Sequence, residues 1–172
     1  LHGQVNTYFK DDEFKFYLGL IAITVISLTV YLVIANGTPV EKTFRNVAFS
    51  ILSILTSTGF ATADYELWAP FTSTFFLIML LLGACAGSTS GGVKMIRYQL
   101  LIKNSLVEVK RLLHPNAIVP VRHNGKAVPN EIIAKVSAFV LTYLGIFAIG
   151  SLILSTTGLD LKSSMGSVAA CM

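Results

Sequence analysis

The chain has 172 residues, of which 53% are hydrophobic and only 13% charged, with a formal net charge of +4. A soluble domain carries about a quarter charged residues, so this composition does not fit one, and a lipid environment accounts for the missing charge. A helix needs roughly 20 apolar residues to cross the hydrocarbon, and the chain contains runs of that kind.

Residues 1–15 read as a polar lead-in, without the basic, then apolar, then small-residue order of a cleavable signal. Phe16 to Ala35 is an uncharged apolar run and predicts the first span. It ends at Asn36-Gly37-Thr38-Pro39, a turn signal. Asn36-Gly37-Thr38 also matches a glycosylation sequon, which the following Pro39 argues against. Thr43 to Thr56 predicts a short helix with Thr43 in cap position. At about 21 Å it is too short to span and suits a buried or re-entrant helix. It runs into Ser57-Thr58-Gly59-Phe60, small and hydroxylated residues around one glycine. Tyr65 and Trp68 then suit a membrane interface.

The second span is expected from Trp68 to Leu82, about 22 Å of helix. It is broken by Gly83-Ala84-Cys85-Ala86-Gly87-Ser88-Thr89-Ser90-Gly91-Gly92, which has four glycines and no large side chain. Such a stretch makes a poor helix. Irregular backbone at membrane depth survives only when it is buried in protein or lines water. After Val93 an amphipathic helix is expected up to Pro115, then a hairpin over 118–129 with Asn124-Gly125 in a type I′ turn. The third span is expected from Ile132 to Ser155, with Lys135 snorkelling near its start.

Eight of the 13 basic residues lie between Lys94 and Lys135, against Glu108 and Glu131. A basic stripe flanked by spans reads as an orientation signal rather than a nucleic-acid face, and it places that segment in the cytoplasm. Cys85 and Cys171 read as two free thiols in small apolar surroundings. His2, His114 and His123 show no metal-ligand spacing. A shift of 121 residues lays the first span on 137–156, Gly37 on Gly158 and Val47-Ala48 on Val168-Ala169. The chain is therefore expected to hold one complete span–short helix–span unit (16–97), a basic linker (98–131) and the start of a second unit (132–172), as a fragment of a longer protein.

Span, short pore helix, glycine-centred loop and second span form the unit of potassium channels, and Ser57-Thr58-Gly59-Phe60 resembles a degenerate channel filter. Gly83 to Arg97, GACAGSTSGGVKMIR, resembles the broken second span of the Trk/Ktr family of potassium transporters. The resemblance implies an all-α membrane protein of span–pore helix–filter loop–span repeats, with an intramembrane loop below the filter. It makes 16–97 the third of four units and Ile132 onward the start of the fourth. It further implies a multi-pass protein of the bacterial inner membrane, with the lead-in cytoplasmic. Potassium is its substrate, it has no cofactor, and its setting is membrane lipid. The assembly is a homodimer bound to a cytosolic nucleotide-binding regulatory ring, with no nucleic acid.

On this reading Ser57, Thr58 and Gly59 offer backbone carbonyls to potassium, with Phe60 packed behind them. The bland alternative for Gly59 is a helix C-cap; its place between a re-entrant helix and an aromatic belt favours the filter. For Gly83, Gly87, Ser88, Thr89, Ser90, Gly91 and Gly92 the resemblance implies a gate. Close helix packing through Gly-xxx-Gly spacing is the competing reading, and would make the chain a non-conducting structural subunit. A hydrolase using Ser88, Thr89 or Ser90 is the third. It fails as a P-loop because Val93 separates Gly92 from Lys94, and as a nucleophile elbow because Thr89 sits at the centre of Gly87–Gly91. No His, Asp or Glu lies in an expected span to serve as its base. Arg45 pairs with Glu41 or meets water, and Lys94 and Arg97 mark the inner interface.

Overall fold

The first apolar run folds as helix α1, Asp12–Asn36, in a computed structural model that describes residues 11–114 and 119–172. Most of the polar lead-in (1–10) and Ile118 of the hairpin segment lie outside the described residues. Residues 12–15 are not lead-in but the first turn of the helix. Asp11 caps it by accepting the Glu13 N–H at 2.9 Å, and Asp12 and Glu13 suit the positive end of the helix dipole. At 25 residues α1 is about 37 Å long.

Helix α2, Val40–Leu55, begins before the expected Thr43. Pro39 takes the cap position, and the Thr43 hydroxyl donates back to the Pro39 carbonyl at 3.0 Å from within the first turn. Helix α3, Thr72–Leu81, is shorter than expected, only about 15 Å. Pro70 disfavours helical backbone at Ala69 before it, against a helix begun at Trp68. Residues Tyr65–Leu67 instead form a 3₁₀ turn, and the Thr72 hydroxyl bonds the Tyr65 and Ala69 carbonyls at 2.7 and 2.6 Å.

Helix α4, Met95–Leu113, follows the glycine-rich break. Strands β1 (Arg122–His123) and β2 (Lys126–Ala127) pair antiparallel, with Arg122 opposite Ala127. Asn124 and Gly125 both have positive φ, 49° and 76°, as a type I′ turn requires. Helices α5, Asn130–Ser155, and α6, Leu161–Cys171, complete the described chain. Val40 and Leu161, which open the two short helices, stand 121 residues apart, and Gly37 and Gly158 before them are both left-handed.

Helices α1 and α5 are long and apolar enough to cross a membrane. Their outer faces are bare apolar surface: Ile34 is 80% exposed and Leu141 71%. Contiguous exposure of this kind marks a lipid or protein contact. The inner face of α1 (Val25, Leu28, Leu32) packs on Val47, Ile51 and Leu55 of α2 and on Phe76 and Met79 of α3. The α2 residues recur every four positions, one face of a helix. Ile51 is fully buried in this cluster, so Ile51→Ala is expected to cost about 2–5 kcal/mol. Thermal unfolding in detergent would show it as a lowered Tm; an unchanged Tm would mean that the cluster does not hold α2 in place. A second cluster joins Leu100 and Val107 of α4 to Val121 and Ile133, and the Arg97 guanidinium sits 3.8 Å over the Phe139 ring of α5.

Candidate functional site

Helix α2 ends at Leu55, the last buried residue before an exposed segment, 56–60, and its end is defined by backbone bonds. The Thr58 N–H donates to the Ser53 carbonyl and the Ser57 N–H to the Ile54 carbonyl, each at 3.0 Å. This is a Schellman arrangement, whose left-handed position is usually glycine. Here Ser57 occupies it, with φ of 56°. Gly59 is therefore not the C-cap of the helix. It lies two residues further on, with its own left-handed φ of 73°. A non-glycine residue held left-handed costs roughly 1 kcal/mol or more and persists only where its surroundings impose it. The Ser53 and Thr58 hydroxyls, 3.1 Å apart, add a side-chain tie to the same turn. Phe60, expected to pack behind this segment, is instead 71% exposed, because no described element of the chain covers that side.

The glycine-rich break, 83–94, is irregular backbone closed at a narrow neck. The Gly83 N–H donates to the Val93 carbonyl at 2.9 Å and the Val93 N–H to the Leu81 carbonyl at 3.2 Å. The Leu81 carbonyl, freed by the end of α3, also accepts the Tyr98 hydroxyl at 3.3 Å. A Cβ on Gly83 would meet the Gly91 carbonyl oxygen at 2.7 Å, so only glycine fits at the neck. Around Gly87, by contrast, a Cβ would meet nothing within 4 Å. The Gly83-xxx-Gly87 spacing is thus not the face of a packed helix.

Inside the loop, Lys94 donates to the Ser88 carbonyl at 2.8 Å, to the Ser88 hydroxyl at 3.3 Å and to the Ser90 carbonyl. The Ser90 hydroxyl accepts the Ala84 N–H at 3.0 Å and lies 2.9 Å from that of Ser88. Thr89 and Gly87 are exposed at the tip. This geometry offers no nucleophile–base pair. Lys94 is the donor in its bonds to the Ser88 and Ser90 carbonyls, and among the described residues no His, Asp or Glu is bonded to the Ser88 or Ser90 hydroxyl. Arg45 forms only an exposed pair with Glu41, 2.7 Å apart.

The two glycine segments meet across one cavity of about 260 Å³. Ser57 and Gly59 line one side, Gly91 and Gly92 another, and Ala169, Ala170 and Met172 of the α6 end a third. The sequence reading missed Glu13. Glu13 is only 6% exposed, and its carboxylate accepts the N–H of Ala86, in the middle of the loop, at 2.7 Å. No spacing rule links residues 73 apart. Among the described residues no group of His, Cys, Asp or Glu is arranged to hold a metal ion, and Cys85 and Cys171 are free thiols.

Two long apolar helices with bare apolar outer faces, in a mostly helical chain, are the features of an α-helical membrane protein. A family model described as TrkH, cation transport protein, matches residues 4–172, and the chain belongs to that family. It is 34% identical over 169 residues to the Trk system potassium uptake protein TrkH of Salmonella typhimurium and 35% identical to TrkG of Escherichia coli K12. Each of these alignments covers 98% of this chain and 35% of the relative. The crystal structure of the potassium transporter TrkH from Vibrio parahaemolyticus superposes with a TM-score of 0.88 at 33% identity, covering 95% of this chain and 35% of that one. The chain thus spans about a third of the length of the relatives it matches.

Proposed function

We propose that this chain forms part of the ion pathway of a potassium uptake protein, with Ser57, Thr58 and Gly59 supplying filter carbonyls and the 83–92 loop acting as the gate beneath them. The observation that carries this reading is the backbone of 57–59. Ser57 and Gly59 are left-handed and Thr58 between them is not. Where left-handed residues alternate with right-handed ones, successive carbonyls turn toward one side; the proposal assigns Thr58 the right-handed place in that alternation. Carbonyls on one side can replace the water shell of a bare cation.

Electrostatics supports the same reading. The C-terminal end of α2 carries the negative pole of its dipole, and no basic residue in its last turn offsets it. The loop borders the cavity at Gly91 and Gly92, carries four glycines and is held beyond its buried neck by hydrogen bonds. A segment held in that way can move at low cost. The Lys94–Lys135 face, on the cytoplasmic side by its charge, is where a regulatory ring would dock, and the names of the relatives point to potassium as the substrate.

The test is rubidium tracer uptake by the complete transporter in liposomes. Saturable uptake that excess potassium suppresses and sodium does not is the expected result. Folded, inserted protein with no uptake above empty vesicles would overturn the proposal.

A further inference from the structure

The start of α1 carries three consecutive carboxylates, Asp11, Asp12 and Glu13, and each has different work. Asp11 caps its own helix. Asp12 binds outward: its carboxylate accepts Lys103 of α4 at 3.0 Å and the Asn124 N–H of the hairpin at 3.2 Å. Its own N–H donates to the Asn124 side-chain oxygen at 2.8 Å, and its carbonyl accepts the Gln99 amide at 2.9 Å. The first turn of α1 is thereby fixed to α4 and to the hairpin.

Glu13 points the other way, into the protein. One carboxylate oxygen accepts both the Ala86 N–H at 2.7 Å and the Ile96 N–H at 3.1 Å. The second bond answers a deficiency in α4. The residue in its N-cap position is Lys94, whose side chain has no acceptor and makes no cap bond. The Ile96 N–H is one of the orphan donors of the first turn, and Glu13 of another helix supplies the missing acceptor. A carboxylate is also the favoured partner for a helix N-terminus. Glu13 therefore caps α4 and pins the middle of the glycine loop with the same atom.

We infer that Glu13 is the positioning residue of the loop. It holds Ala86 and the start of α4 together against the fixed first turn of α1, and so keeps the loop in its present place beside the cavity that Gly91 and Gly92 line. This rests on the reading of the loop as a gate. If Glu13 releases Ala86, the 84–92 segment keeps the Lys94 bonds, the neck, the Met95 N–H bond to the Ala84 carbonyl and its internal turn bonds, and loses the tie between its middle and α1.

The experiment uses the complete transporter with Cys85 as its single cysteine, Cys171 and any cysteine outside these 172 residues being changed to serine. Two quantities are read in liposomes: the alkylation rate of Cys85, which neighbours Ala86, by N-ethylmaleimide, and rubidium uptake. Glu13→Ala is expected to raise alkylation about tenfold, the weight of one lost hydrogen bond to a charged group, and to raise uptake with it. Glu13→Gln keeps an acceptor oxygen and is expected to stay within about twofold of the parent. Alkylation of Glu13→Ala at the parental rate would overturn the inference, whatever the uptake. Faster alkylation with unchanged uptake would uphold the positioning role and remove the gate reading instead. Should Glu13→Ala fail to insert, Glu13→Asp decides. Its arm is one methylene shorter and cannot serve both N–H groups, so alkylation between the parent and tenfold supports the inference and a parental rate sinks it.

Discussion

Gly59→Asp is expected to abolish selective rubidium uptake while leaving the protein folded. The two halves of that expectation have separate causes. A Cβ at position 59 would meet nothing within 4 Å, so a side chain there displaces no neighbour. The cost to folding is the left-handed φ of 73° alone, about 1–2 kcal/mol for a residue with a Cβ. That is tolerable for a folded protein but not for a carbonyl whose direction matters. A residue relieving the strain rotates its peptide planes, and the carbonyl directions that the proposal assigns to 57–59 are lost. The aspartate also places a full negative charge where the proposal has only carbonyl dipoles, which would trap a cation rather than pass it. Uptake should fall at least about tenfold, or lose its preference over sodium, for a change of only about 1.4 kcal/mol at the rate-limiting position. Gly59→Ala, with the strain but not the charge, should fall between. Equal and selective uptake in folded Gly59→Asp would remove Gly59 from the ion path.

Much of the architecture was legible in the residues because it follows from composition. Apolar runs of span length, 16–35 without charge and 132–155 with Lys135 alone near its start, fold as α1 and α5. Four glycines in ten residues break the second apolar run directly after Leu82. Asn124-Gly125 makes the turn that this dipeptide favours. What failed to show was set by contacts between distant segments. Asp11, Asp12 and Glu13 read as a polar lead-in, yet they form the start of a helix whose third carboxylate is buried under the loop. Composition gives charge, and only the fold shows which charge points inward. The late start of α3 came from the Thr72 hydroxyl and Pro70, a local competition that the apolar pattern hides. The candidate C-cap role of Gly59 fell to Ser57, because a left-handed serine is uncommon enough that no sequence rule would choose it. Phe60 was placed behind the segment on the strength of resemblance, and the chain has nothing there to receive it.

The loop allows a sharper experiment than deletion, because its glycines divide into two physical kinds. Gly83→Ala puts a methyl group 2.7 Å from the Gly91 oxygen and 3.0 Å from the Val93 oxygen. Both are backbone atoms, and neither can rotate away as a side chain would. The neck must open, the Gly83–Val93 bond must lengthen, and the ladder that brings Lys94 under Ser88 and Ser90 loses its register. Gly87→Ala changes the same loop by the same methyl group, but into open space. The pair therefore separates the shape of the loop from its composition. If the loop obstructs the ion path, Gly83→Ala is expected to raise maximal rubidium uptake on the order of tenfold, equivalent to about 1.4 kcal/mol off a barrier. Gly87→Ala should leave uptake near the parental value. Selectivity should hold in both, since neither touches Ser57–Gly59. If the glycines serve only to let segments pack closely, Gly83→Ala lowers the Tm in detergent and leaves uptake per folded molecule unchanged. A displaced neck that changes stability alone would make the loop a structural joint, and the barrier to ions would then have to be sought at the 57–59 carbonyls themselves.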